Sequence, residues 1–165
     1  MNYSYGTDEY INDIVSRYSG SLFKAAFYIL GNTADSEDAV QNAFLKLIRR
    51  AKPFSGQEHE KAWLMRVTIN NAKDMLKSHH RRLSVPLEDR IPDPNLTCRD
   101  DGFLSELFSE LSEGYREILY LYYYEGYRIN EIAAILGIPA PTVGTRLRRG
   151  RNKLKEMLER GEEDV

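Results

Sequence analysis

Cysteine is almost missing from this chain: Cys98 is the only one among 165 residues. A single thiol excludes an internal disulfide and a cysteine-based zinc site. Its place in a proline-rich stretch makes it a bystander. Long apolar runs are missing as well, and none approaches the roughly 18 residues that a membrane span needs. The first residues, MNYSYGTDEY, are polar and acidic, unlike a signal peptide. No membrane insertion and a cytoplasmic location are therefore expected. There is also no glycine-rich phosphate loop, no nucleophile–base pair, and no ligand set at metal spacing around His59, His79 or His80. Enzyme function finds no support, and no cofactor or metal is expected.

What is present is ordinary globular material, with 42% hydrophobic and 29% charged residues, enough for one domain or two small ones. The net charge of −2 argues against nucleic acid, but its distribution argues for it. Lys77, His79, His80, Arg81 and Arg82 form one basic cluster. Arg146, Arg148, Arg149, Arg151, Lys153 and Lys155 form another, with no acid among them. The acids gather around Asp35, Glu37 and Asp38, and again from Glu88 to Asp101. Separate surfaces for separate partners follow from this segregation; solvated helix faces are the plainer alternative.

Periodicity is helical throughout, with no convincing strands and no internal repeats. Apolar residues recur at three- and four-residue steps from about Asp8 to Leu30, with a bend expected near Ser19-Gly20. Gly31 stops that helix, and Asn32 caps the next. The second helix carries Ala39, Val40, Ala43, Phe44, Leu47 and Ile48 on one face, with acids in its first turns where the helix dipole favours them. Lys52 to Gly56 reads as a loop. A third helix runs from about Glu60 to His80, closing an N-terminal bundle near Arg82. Ser84 to Asp101, with three prolines and several acids, reads as an extended linker. Helical signals resume near Gly102, first with Phe103, Leu104, Leu107, Phe108 and Leu111, then with Tyr115, Ile118, Leu119 and Tyr122. Tyr122, Tyr123 and Tyr124 read as packing and surface. The fold class is all-α: two small helical domains, 1–83 and 103–165, joined by a linker over 84–102.

The stretch from Tyr127 to Lys155, YRINEIAAILGIPAPTVGTRLRRGRNKLK, reads as a helix-turn-helix. Ile129, Ile132, Ala133 and Leu136 face inward from its first helix, and Ile138, Val143 and Leu147 from beneath its second. Gly137 stands where the backbone reverses at positive φ, and Pro139 cannot continue the first helix. Thr142, Thr145 and Arg146 are placed to reach base edges. Arg148, Arg149, Arg151 and Lys153 suit phosphates better. A helical hairpin with a cationic last helix is the plain alternative, and the motif by itself identifies no regulator class.

Nearly the whole chain, from about Tyr10 to Leu158, resembles an extracytoplasmic-function sigma factor. Four stretches carry the resemblance: DSEDAVQNAFLKLI, AWLMRVTINNAKDMLKSHHRR, YREILYLYYYEGYRINEIAAILGIP and TVGTRLRRGRNKLK. It implies that the first stretch binds the polymerase clamp, through Asp35, Asp38, Gln41 and Phe44. It implies that the second reads the −10 promoter element, with Trp63, Arg66, Asn70 and Asp74 matching the family pattern W-x-x-R-x-x-x-N-x-x-x-D. Together with the loop Lys52 to Glu60, that helix would open the duplex and hold a flipped base. Lys77, Arg81 and Arg82 would meet phosphates. For Trp63 a place in the core is the competing assignment, and for Asn70 and Asp74 a helix-surface pair. The last stretch would read the −35 element. Two positions depart from the family: Ile69 replaces a frequent arginine, and Gly144 replaces a lysine. The second change removes one DNA contact and loosens the helix by roughly 1 kcal/mol relative to alanine.

The implied partners are core RNA polymerase, through its clamp and flap surfaces, promoter DNA, and an anti-sigma factor for which the apolar faces leave room. The linker acids would mimic nucleic acid near the active-site channel. The competing function is a stand-alone helix-turn-helix regulator with a ligand-sensing or dimerising N-terminal domain. Such a regulator binds two-fold symmetric duplex sites tightly without polymerase.

Overall fold

A computed structural model describes residues 4–82 and 107–163. The chain divides into two compact units between Arg90 and Ile91. The segment expected as a linker, with Cys98, Phe103 and Leu104, lies outside the described residues. All regular structure among the described residues is helical, as the periodicity predicts.

The first unit is a bundle of three helices that all pack on one another: α1 (Asp8–Leu30), α2 (Thr33–Ile48) and α3 (Gln57–Arg82). Thr7 caps α1, its side chain accepting from the Tyr10 N–H, and Gly31 ends the helix at φ 73°, in the left-handed region. The helix runs unbroken through Ser19 and Gly20, where a bend was expected. Its buried stripe, Ile14, Tyr18, Leu22, Ala25, Ala26 and Ile29, keeps helical spacing across that point, so packing overrides the glycine's weak propensity. Asn32 caps α2 as predicted: its carbonyl oxygen accepts from the Asp35 N–H, and its amide donates back to the Asp35 carboxylate, both at 2.9 Å.

The core is made of Leu22, Ile29, Leu30, Leu47, Leu64, Met65 and Ile69, each fully or almost fully buried. Burying side chains of this size stabilises by about 1.5–3 kcal/mol each. A polar tie supplements them. Buried Asn71 on α3 donates to the Ala39 carbonyl oxygen of α2 at 3.0 Å and accepts from Lys46 Nζ at 2.7 Å.

The described part of the second unit begins with helical residues 107–110, which bury Leu107 and Phe108. It continues with α4 (Glu113–Leu119), a π-helical turn Tyr120–Tyr124, α5 (Ile129–Leu136) and α6 (Ala140–Glu163). The expected helix through Tyr122 therefore does not stay α-helical. Glu125 N–H reaches back to the Tyr120 carbonyl at 3.2 Å, and Tyr127 N–H to that of Leu121 at 3.0 Å. Buried Tyr120 stacks on Tyr124 at 5.7 Å and donates to the Glu125 carboxylate at 2.7 Å. The widened turn leaves Tyr123 and Tyr124 about half exposed. Helix α6 crosses α4 at Gly150, where an added Cβ would sit 3.1 Å from Leu119 Cδ1 and 3.4 Å from Tyr115 Cβ.

Candidate functional site

The turn between α5 and α6 has the predicted form. Gly137 lies at φ 66°, its N–H and that of Ile138 both bonding to the Ala133 carbonyl. At the head of α5 the Arg128 N–H donates to the Glu131 carboxylate at 2.7 Å. Ile132, Ile135, Val143 and Leu147 are buried between the two helices. Reader and basic extension form one continuous helix of 24 residues, rather than a short helix followed by a separate tail.

The buried positions of α6, Val143, Leu147 and Gly150, fix which side chains point away. Half-buried Thr145 and exposed Arg148, Arg149 and Asn152 fall on the side opposite that seam, while half-buried Thr142 stands on its edge, at i, i+3 and i+7 with Thr145 and Arg149. Three of the expected cations lie instead along the flanks. Arg146 is half-buried, its guanidinium reaching the backbone of Gly114, where a Cβ would come within 3.6 Å of it. Arg151 donates to the Tyr123 hydroxyl at 3.4 Å. Lys153 Nζ stands 5.1 Å above the Tyr115 ring. The outward surface is therefore led by Thr145, Arg148, Arg149 and Asn152, with Thr142 at its edge. Gly144 has open space around its Cβ direction.

On α2 the inward face is Ala39, Val40, Ala43, Phe44 and Leu47. Phe44 is thus a core side chain, although the resemblance set it among polymerase contacts. Asp35 is also committed within the bundle, accepting from Asn32 and pairing with His79 Nε2 at 3.1 Å. Asp38 and Gln41 are exposed, as a contact role requires. The same face presents Leu45 and Ile48, 48% and 58% exposed. Ile48 was expected on the inward face; instead it ends an outward ridge running Asp38, Gln41, Leu45, Ile48. Large apolar residues so exposed beside polar ones mark a surface that meets a partner.

On α3, Arg66, Asn70, Asp74 and Lys77 are all exposed and follow one helical stripe. Arg81 and Arg82 close the helix, and their side chains lie outside the described set. Ile69, at the position of the family's arginine, is 1% exposed, so it serves the core rather than the stripe. Trp63 is neither core nor free: half-buried, it tilts against Phe54 at 5.5 Å between ring centroids. The Arg50 guanidinium lies 4.5 Å from the Phe54 centroid and 5.3 Å from that of Trp63. His59 meets Phe54 edge-on at 5.3 Å and pairs through Nδ1 with the Ser55 hydroxyl at 3.0 Å. Loop and stripe thus meet at one end of α3, in an aromatic cluster that a guanidinium holds together.

Sequence reasoning singled out neither Arg50 nor Leu45, set Ile48 on the inward face, and took in Phe54 only as part of the loop Lys52 to Glu60. For Leu45 a signal existed, since it falls outside the apolar stripe. Arg50 and Phe54 sit in a loop without periodicity, where nothing in the sequence announces the stack.

Comparison with known proteins follows the same division. Sigma-70 region 2 matches residues 14–82, and Sigma-70 region 4 matches residues 104–154. Among curated relatives, a probable RNA polymerase sigma factor, RfaY of Xanthomonas campestris pv. campestris, is 33% identical over 94% of this chain and 42% of its own length. The ECF RNA polymerase sigma factor SigE of Mycolicibacterium smegmatis is 29% identical over 89% of this chain and 61% of its own length. The chain thus spans about half the length of those two relatives. It covers 91% of the ECF sigma factor SigW of Bacillus subtilis, at 25% identity. In fold it is similar to the sigma factor RpoE of Bartonella quintana, solved with the anti-sigma factor NepR, at a TM-score of 0.70 and 23% identity over 90% of this chain and 96% of that one. Two region matches in the right order, relatives that span the chain, and the two helical units place it together: the chain belongs to the extracytoplasmic-function family of RNA polymerase sigma factors.

Proposed function

We propose that the chain binds core RNA polymerase and directs initiation at promoters with paired −10 and −35 elements. The first unit, about 1–83, docks through the exposed ridge Asp38, Gln41, Leu45 and Ile48 on α2. It reads and helps to melt the −10 element with the α3 stripe and the aromatic loop before it. The second unit, about 103–165, sets α6 in the major groove of the −35 element, with Thr142, Thr145 and Arg149 toward the bases and Arg148 toward phosphates. A linker over 84–102 joins them. Like the family, the chain acts without catalysis of its own. It works in the cytoplasm, where polymerase is, and no helix among the described residues is long and apolar enough to cross a membrane.

One observation carries this reading over that of a stand-alone regulator. The first unit shows an apolar ridge on α2 and a separate polar-cationic stripe on α3, so it has two outward faces of different chemistry. A protein partner suits the first and nucleic acid the second. The similar sigma factor RpoE of Bartonella quintana was solved with the anti-sigma factor NepR, and a protein of that kind is the further partner proposed here, one that covers the α2 ridge and so excludes polymerase. The test is a gel shift of a −35/−10 promoter fragment by chain alone, by core alone and by both. A specific complex only with both supports the proposal. Tight binding of a palindromic fragment by the chain alone would favour the regulator.

A further inference from the structure

Tyr5, ahead of α1, and Tyr10, in its first turn, grip the α2–α3 loop at its entrance, its middle and the first turn of α3 that follows it. Tyr5 donates its phenol hydrogen to the Arg50 carbonyl oxygen at 3.1 Å, across 45 residues of sequence. The Tyr5 ring meets Phe54 edge-on at 6.3 Å and tilts against Tyr10 at 5.0 Å. Tyr10 in turn donates to the carboxylate of Glu60, a buried acid in the first turn of α3. Burial, and then the bond to Glu60 and its charge, push the Tyr10 phenol far above the ordinary 10.0, which keeps it a donor. Arg50, whose backbone is held by Tyr5, is also the residue whose guanidinium spans Phe54 and Trp63.

We infer that Tyr5 and Tyr10 are positioning residues for −10 recognition: they latch the α2–α3 loop so that the Arg50–Phe54–Trp63 stack is set before DNA arrives. The inference rests on the −10 reading of this loop proposed above. A base leaves its stack only if a shaped site receives it. A loop free to move would lose backbone and side-chain freedom on forming that site, and binding would be weakened accordingly. The two phenols remove that cost in advance, from a segment that need touch no DNA.

Trp63 is the only tryptophan, so its emission reports on the stack alone. In the full chain, the double variant Tyr5→Phe, Tyr10→Phe keeps both rings and loses both hydrogen bonds. Its Trp63 emission shifts and becomes more open to acrylamide quenching. Ile29→Val, a core variant at the far end of α1 from Tyr10, serves as a control for lowered stability and keeps wild-type quenching. With core polymerase and pooled templates randomised over the −10 element, the double variant's preference for its best sequence falls about five-fold for each hydrogen bond lost. Selection at a randomised −35 element stays as in wild type. Unchanged Trp63 quenching overturns the latch. So does an unchanged −10 preference where the wild-type chain selects strongly. A wild-type chain that selects no −10 sequence, while quenching still changes in the variant, instead overturns the −10 reading on which the inference rests.

Discussion

Asn71 donates its side-chain amide to the main-chain oxygen of Ala39 at 3.0 Å, tying α3 to α2 from a buried position. Its sequence neighbour Asn70 points outward on the stripe with Arg66 and Asp74. One residue of helix, a rotation of about 100°, separates a structural amide from one free to meet a ligand.

That contrast yields a first prediction. Asn71→Ala removes the bond from α3 to the Ala39 carbonyl, which keeps its own helical partner, together with the bond from exposed Lys46, and lowers stability by about 1 kcal/mol. Asn70→Ala changes stability by less than about 0.5 kcal/mol but reduces open-complex formation on a promoter. Urea unfolding and permanganate footprinting of the two variants separate the roles. Equal unfolding midpoints would remove the buried amide from this account.

Leu45→Asp and Ile48→Asp should leave the unfolding midpoint near wild type, because both residues are already about half exposed. Affinity for core polymerase should fall at least about tenfold for each, the size expected of an apolar anchor in an interface. Surface plasmon resonance with immobilised core measures it. Phe44→Ala should do the reverse, costing about 3–5 kcal/mol of stability through a cavity in the bundle.

Two glycines on α6 predict opposite outcomes. Gly144 has open space, so Gly144→Lys gains roughly 1 kcal/mol of helix propensity and adds a phosphate contact. Binding to a −35 duplex should tighten and its salt dependence steepen by about one unit of slope. Gly150→Ala drives a Cβ to 3.1 Å from fully buried Leu119, and overpacking of about 1–3 kcal/mol outweighs the propensity gain. Calorimetry of the two variants gives the sign of each change directly.

The Tyr10 phenol is raised by burial and by Glu60 above its ordinary 10.0. Above that pH the unfolded chain releases the proton while the folded one keeps it, so the folded state binds more protons and stability falls as pH rises. The contribution is fully present below pH 10 and is lost with increasing alkalinity. Tyr10→Phe should therefore flatten the alkaline limb of the stability profile relative to wild type. An identical limb in both proteins would contradict the buried bond.

The helices and the turn were legible because each leaves a local mark. The Asn32 cap and the left-handed Gly137 follow from the residue at that position, and the all-α class follows from periodicity. What was not legible depends on the third dimension. Phe44 and Ile48 are both apolar on one helix, and only packing against α1 and α3 decides that the first is buried and the second is not. The flanking roles of Arg146, Arg151 and Lys153 depend on α4 and the π-helical turn, more than twenty residues away in the chain. The unbroken α1 and the Tyr5–Arg50 bond are likewise long-range outcomes that no window of sequence contains.

The central claim is tested most directly by run-off transcription with purified core polymerase free of other sigma subunits, on a genomic template library from the source cell. The account predicts discrete start sites that appear only when the chain is added, each preceded by paired elements near −10 and −35. Arg149→Ala should weaken dependence on the upstream element alone. No specific start site, despite demonstrated binding of the chain to core, would contradict it.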